Sequence, residues 1–188
     1  MVKAAHETRK MIIDILTLAF AENKSVQAVC GANIRRVRRL MAYGYDNCAA
    51  FGRVYLTEDH SACALVLFPD RKRTSLKTIL WDLKLVVKVI GLTKLFRVLK
   101  RESVIKSHHP KAPFSYLWFI GVDPSTQGRG KGSALLDIII EDAAVANRPV
   151  YLETSTIENI AFYKKHGLEV TGEVQFGYKL FLINNYRK

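Results

Sequence analysis

The feature that most constrains this chain is a glycine-rich turn, Gln127-Gly128-Arg129-Gly130-Lys131-Gly132-Ser133, set between two long apolar runs. Before it, residues 114–122 are aromatic and β-branched, which predicts a buried strand. After it, residues 131–147 are apolar up to Pro149, which predicts a long helix. A strand that passes into a helix through glycines gathers unpaired N–H groups at the positive end of a helix dipole. Such a turn suits an anion, phosphate above all. Arg129 and Lys131 add charge. Two familiar phosphate loops fail on spacing. A P-loop needs Ser or Thr where Gly132 stands, and G-x-G-x-x-G needs glycine where Ser133 stands.

The other elements follow from periodicity and breakers. Residues 7–21 read as an amphipathic helix with Met11, Ile15, Leu18 and Ala19 on one stripe and Ile12 and Leu16 beside it. Residues 33–41 read as a basic helix, its Ile34, Val37 and Leu40/Met41 inward, ended by Gly44 and Asp46-Asn47. Residues 53–57 and 62–68 read as a hairpin. In 71–111, Leu76, Leu80, Leu83, Val87 and Ile90 share a helical face, and Leu92, Leu95, Phe96 and Leu99 resume it after Gly91. A stripe that broad is expected to be buried. Residues 150–154, 169–176 and 179–184 read as strands. Ser155 to Glu158 has the form of a capping box, opening a helix that ends at Gly167.

At 188 residues, with 49% apolar and 24% charged residues, one domain spanning 1–188 is expected. Cys30, Cys48 and Cys63 form no C-x-x-C pair, and the histidines lack metal-site spacing, so free thiols, a cytoplasmic location and no metal are expected. No leader pattern and no apolar run of spanning length is visible, so no stable membrane insertion is expected. The net charge is +12, and segment 71–111 holds 12 Lys and Arg against Asp82 and Glu102. This basic helical insert reads as a lid over a cleft, a membrane-surface helix pair, a nucleic-acid patch or a solvated charge face. The lid and the solvated face are preferred, and no nucleic-acid partner is expected.

The spacing Gln127-x-x-Gly130-x-Gly132 resembles the Q/R-x-x-G-x-G/A pyrophosphate motif of the GNAT superfamily of N-acetyltransferases. Gly121-Val122-Asp123-Pro124 before it, and Asn159 to Tyr163 followed by Gly167 after it, extend the similarity from about Phe114 to the end. His109-Pro110-Lys111, Tyr116-Leu117 and Leu152-Glu153-Thr154-Ser155 look like the puromycin N-acetyltransferase branch. The resemblance implies an α/β fold: a mixed, mostly antiparallel sheet of six or seven strands with helices on both faces. The first strand is weak or missing, and the basic insert is a departure. It also implies acetyl-CoA as co-substrate. Backbone groups of Ile120, Gly121 and Val122 would meet the pantetheine arm. Gln127 to Ser133 would hold the pyrophosphate, and Asn159 and Phe162 would flank the arm.

Acetyl transfer to an amine poses two proton problems. An amine of pKa about 10.4 is neutral in about one molecule in 2500 at pH 7, a handicap of roughly 4.6 kcal/mol unless a base helps. The leaving thiolate also needs a donor. Tyr163 lies four residues after Asn159 on one helix face; spacing alone allows a packing tyrosine, and the resemblance makes it the acid. Glu153 shares a strand face with Tyr151 and Ser155 and is either the base or a structural carboxylate. His166, His108 and His109 are weaker candidates. The expected acceptor is a small-molecule primary amine, bound by 42–51 and the insert, with Tyr43, Tyr45 and Phe51 available for stacking. A non-catalytic acyl-CoA-binding or nucleic-acid-binding module, or acetylation of a protein amine, is the alternative. An exposed final strand ending at Tyr186 would allow a homodimer.

Overall fold

The computed structural model describes residues 2–186. Three helices come first: α1 (Val2–Ala19), α2 (Lys24–Cys30) and α3 (Ile34–Phe51). The hairpin β1 (Gly52–Leu56) and β2 (Ala62–Leu67) leads to α4 (Leu76–Leu85), a wide π-type turn (Val86–Ile90) and α5 (Leu92–Ser107). Then come β3 (Ser115–Val122), α6 (Lys131–Val145), β4 (Val150–Thr154), α7 (Glu158–Lys165), β5 (Glu169–Gln175) and β6 (Lys179–Asn184). The six strands form one sheet in the order β1-β2-β3-β4-β6-β5, antiparallel except for β3 and β4. Helices cover both faces. Ile12, Leu16, Val37, Met41, Val89 and Val98 pack with Leu65 and Phe119 on one face, while Leu136, Ile139, Tyr163 and Leu168 pack with Leu117, Val150 and Leu152 on the other.

Two irregularities shape the sheet. Leu65 pairs with Phe119 and Val66 with Leu117, so Trp118 is an extra, bulged residue. In a regular strand Leu117 and Phe119 would share a face. Across the bulge they enter opposite cores. The parallel β3–β4 ladder is also short, with only Ser115↔Val150 and Tyr116↔Tyr151 paired. Beyond them the strands part, and the sheet opens into a wedge.

Several expectations need correction. Helix α3 runs through Gly44 and Asp46-Asn47 because tertiary partners hold it. Gly44 lies close against Phe119, where even a Cβ would approach ring atoms to 3.0 Å. Asp46 pairs with Arg9 at 3.1 Å, and the Asn47 amide donates to the Tyr43 carbonyl. The α1 stripe is rotated: Ile12, Ile13, Ile15 and Leu16 are buried, and Leu18 is exposed. The capping box does not form. Helix α7 begins at Glu158, while Ser155 accepts a hydrogen bond from the Ser25 N–H. Strand β6 lies between β4 and β5, so it offers no free edge for a dimer. Helix α2, which the sequence reading passed over, is capped by Asn23, whose side chain accepts from the Val26 N–H.

The insert forms as two helices, but most of its stripe is not the buried face. Leu76, Leu80, Leu83, Val87, Leu92, Phe96 and Leu99 are exposed; of the stripe, Ile90 is buried and Leu95 half-buried, and Thr78, Val89, Val98 and Ile105 make up the rest of the buried face. Polar contacts pin it. Arg101 donates to the Tyr178 hydroxyl at 2.9 Å and to Ser25 at 2.6 Å, Tyr43 donates to Asp82 at 2.6 Å, and Arg39 donates to the Lys88 carbonyl. The three cysteines are buried and free.

Candidate active site

The wedge between β3 and β4 opens into a cleft of about 1600 Å³ that runs from the glycine turn to the insert. The glycine turn sets one end. Gly128 and Gly130 have φ of +80° and +73°, the left-handed region that other residues adopt only at a cost. Nothing within 4 Å would crowd a Cβ at either, so backbone shape, not space, calls for glycine. Helix α6 starts at Lys131, and its first bond into the loop is from Ala134 N–H to the Gly130 carbonyl, at 3.0 Å. Among the described residues, the N–H groups of 128–133 have no acceptor. Six unpaired donors at a helix start fit a pyrophosphate.

Next to this turn, the edge of β3 beyond Tyr116 has no ladder partner on its β4 side. Ile120, Gly121 and Val122 lie on that free edge and line the cleft. An extended amide-bearing arm laid there would pair as an added strand. A Cβ on Gly121 would come within 3.0 Å of Leu16 and 3.1 Å of Ala19, so the glycine also admits α1. Asn159 and Phe162 line the far wall from α7, Phe162 meeting the Tyr163 ring edge-on and the His166 ring at a tilt. Gln127, Gly128 and Gly130 to Ser133 line the same end. Arg129 is exposed and lies outside the lining. Lys131 lines the rim, but its ammonium is 2.5 Å from Asp59 Oδ2. That pairing, followed by hydrogen bonds from Ser61 and Thr57, holds the Asp59 carboxyl well below its usual range. The turn's attraction for an anion therefore rests on its N–H groups more than on Lys131.

Tyr163 is buried on α7, with its hydroxyl making no hydrogen bond among the described residues. Burial pushes this phenol's pKa up, so it stays protonated at neutral pH. It is a donor without an internal acceptor, facing the cleft.

Glu153 sits on the opposite wall in a cluster the sequence reading did not assemble. Its side chain is 8% exposed. The Tyr116 hydroxyl donates to Oε2 at 2.6 Å. His109 Nε2 lies 3.4 Å from Oε1, out of line for a hydrogen bond, and the Tyr151 hydroxyl is buried nearby without a partner. Both phenols are held protonated, first by burial and then by the Glu153 charge. The His109 ring contacts Phe114, Tyr116 and Tyr151 at 5.0–5.4 Å between centroids. Three buried polar atoms, Glu153 Oε1, His109 Nε2 and Tyr151 Oη, thus converge unsatisfied. Such a cluster suits a small hydrogen-bonding guest, an amine or a water. The register Tyr116↔Tyr151 creates it, and register is not visible in the sequence. His108 is exposed, and His166 is bonded to Asp137 at 2.5 Å, away from this cluster. Of the proposed stacking residues, Tyr43 lines the cleft beside Trp118, whereas Tyr45 and Phe51 pack against the core. Among the described residues no group of side chains is placed to hold a metal ion.

Residues 84–170 match the family described as the acetyltransferase (GNAT) domain, a little under half of the chain. The fold is similar to that of solved acetyltransferases. A Corynebacterium glutamicum protein described as histone acetyltransferase HPA2 and related acetyltransferase aligns with a TM-score of 0.69 at 20% identity, covering 94% of this chain and 90% of that one. The C-terminal condensation domain of Ebony, in complex with beta-alanyl-dopamine, aligns at 0.66 with 13% identity, covering 95% and 93%. An N-acetyltransferase from Staphylococcus aureus aligns at 0.57 with 17% identity, covering 95% of each chain. The open six-stranded sheet with helices on both faces is thus a GNAT-type fold.

Proposed function

We propose that this chain is a GNAT N-acetyltransferase that moves an acetyl group from acetyl-CoA to a primary amine of a small molecule. One observation carries the reading: a cradle of unpaired N–H groups at 128–133 opens onto the same cleft as the unsatisfied Glu153 cluster. The Ebony domain aligned above was solved with beta-alanyl-dopamine, and its fold accommodates a small amine conjugate in that protein. The segments that carry the puromycin-branch resemblance, 109–111, 116–117 and 152–155, include His109, Tyr116 and Glu153, which touch one another here.

Acetyl-CoA supplies an acetyl group activated as a thioester. The chain's residues do the rest. The N–H groups of 128–133 anchor the pyrophosphate, and the free edge of β3 aligns the arm toward the wedge. Glu153 Oε1 accepts a proton from the acceptor ammonium, directly or through a water held with His109 and Tyr151. Tyr116 keeps the other carboxylate oxygen occupied, so Oε1 is the free basic atom. The freed amine attacks the thioester carbon; as the C–S bond breaks, Tyr163 Oη, held protonated by burial, donates to the leaving sulfur and takes back the second proton that the nitrogen must lose to become the amide. Thus Glu153 and Tyr163 divide the two proton problems between opposite walls.

The test is thiol release from acetyl-CoA across a panel of small amines, with mass analysis for one added acetyl group. Glu153→Gln should keep CoA binding and lower kcat by about 10²–10⁴. CoA binding without turnover of any amine would leave a binding module, and absence of CoA binding would sink the reading.

A further inference from the structure

The insert presents a surface that the acetyl-transfer reading does not use. Along α4 and the π-type turn after it, Leu76, Leu80, Leu83 and Val87 recur every three or four residues on the side opposite the buried Thr78 and Val89. On α5, Leu92, Phe96 and Leu99 repeat the pattern opposite Val98 and Ile105. Leu76, Leu92 and Phe96 are 82%, 78% and 79% exposed. Single exposed leucines are ordinary, but an apolar stripe repeated on two successive helices marks a contact surface.

The charges beside this stripe say what kind. Lys77 and Lys84 follow it on α4, Lys88 in the π-type turn, and Arg97 and Lys100 on α5; all five are exposed, and none is in an ion pair among the described residues. The insert's two carboxylates are engaged elsewhere. Asp82 accepts from Tyr43 at the cleft, and Glu102 pairs with Arg101. The face is therefore cationic and apolar together, without a compensating acid. Nucleic acid would match the charge and leave the leucines in water. An anionic bilayer offers headgroup charge and an apolar layer in one plane, the environment of an amphipathic helix lying in the interface. We infer that α4 and α5 form a docking surface for an anionic membrane, with the stripe in the headgroup–acyl boundary and the cations on the headgroups. Among the described residues no helix is long and apolar enough to cross a membrane, and the contact inferred is a peripheral one. Leu99 belongs both to the stripe and to the cleft lining, so the docked protein holds the cleft beside the headgroups.

The test is flotation of the full chain with vesicles of phosphatidylcholine alone and of phosphatidylcholine mixed with phosphatidylglycerol, at physiological salt. Two multiple variants are compared, Leu92→Ser with Phe96→Ser, and Lys77→Glu with Lys84→Glu and Lys88→Glu. All five positions are exposed and outside the cleft lining; CoA binding and circular dichroism check the fold. The parent should float with the anionic vesicles and not with the neutral ones. Each cation near an anionic leaflet contributes about fivefold in partitioning, so the triple reversal should lower it at least about 100-fold. The apolar pair should lower it at least about tenfold. Absence of binding to anionic vesicles, or binding unchanged in either variant, overturns the inference. So does a dimer in sedimentation that both variants convert to monomer, which would make a second copy the occupant.

Discussion

Gly130→Ala separates backbone shape from crowding in the glycine turn. Gly130 has φ +73°, and a Cβ there would meet nothing within 4 Å. The left-handed conformation costs an L-residue about 1–2 kcal/mol. If the empty loop holds its shape, that cost lowers the stability of the free protein, by about 2–4 °C in melting temperature for each kcal/mol. If the empty loop relaxes, stability is unchanged and CoA must restore the shape, so its Kd rises about 5- to 30-fold. In both cases the CoA-bound protein is destabilised by the full amount. Thermal unfolding with and without saturating CoA measures the first, and titration calorimetry measures the second. Pantetheine, which lacks the pyrophosphate, should bind parent and variant alike. Gly177→Ala, at φ +81° in the β5–β6 turn, is the control: it should lose stability without changing CoA affinity. Unchanged unfolding together with unchanged CoA affinity in Gly130→Ala would refute the cradle argument.

Three further outcomes are expected. Tyr163→Phe removes a hydroxyl with no internal partner, so melting and CoA affinity should hold while kcat falls about 10²–10⁴ in the thiol-release assay; an unchanged kcat removes Tyr163 from the chemistry. Asp59→Asn should release Lys131 toward the anion and tighten CoA binding a few-fold at low salt, with the gain lost at high salt. Because the folded-state Asp59 pKa is depressed below 3.8, its pairing is complete above that value and fades only as pH falls below it, so the Asp59→Asn effect should be constant from about pH 5 to 8. Gly121→Val drives a side chain into Leu16 and Ala19, and chemical denaturation should show a loss of about 1–3 kcal/mol.

The geometry of the glycine turn was legible in the sequence because it is local. The strand, the glycines and the helix start lie within 122–136, and each acts through its own backbone. Glu153 was nameable from the period of its strand, and Tyr163 from the family resemblance, since spacing alone leaves it a packing tyrosine. Their neighbours were not. His109 reaches Glu153 from a loop 44 residues away, and Tyr116 does so only because β3 pairs with β4 at Tyr151. The breakers Gly44 and Asn47 misled because a packed ring and a back-bonded amide outweigh propensity. The insert misled in the opposite sense. Its periodicity gave the helices correctly, but periodicity says that a face is apolar, not what covers it.

The bulge at Trp118 is what lets one strand serve both ends of the cleft. Before it, Tyr116 projects to the α1–α5 side of the sheet, where Glu153 and His109 lie. After it, the phase has shifted by one residue, and Ile120 and Val122 project to the α6–α7 side, where Tyr163 and Phe162 lie. A regular strand would have placed Tyr116, Trp118, Ile120 and Val122 all on one face. Tyr116 could then not have met Glu153 on one side while Ile120 and Val122 faced the other. The extra residue instead lets Tyr116 join the Glu153 cluster on one side of β3 while Ile120 and Val122 face Tyr163 and Phe162 on the other. The open edge of β3 is where an acyl arm has to lie if one wall is to take a proton from the amine and the other is to return one to the sulfur. On this argument the spacing around Trp118 matters more than its indole. Deleting Trp118 should restore the regular phase and abolish turnover even in a folded protein, whereas Trp118→Phe should keep it.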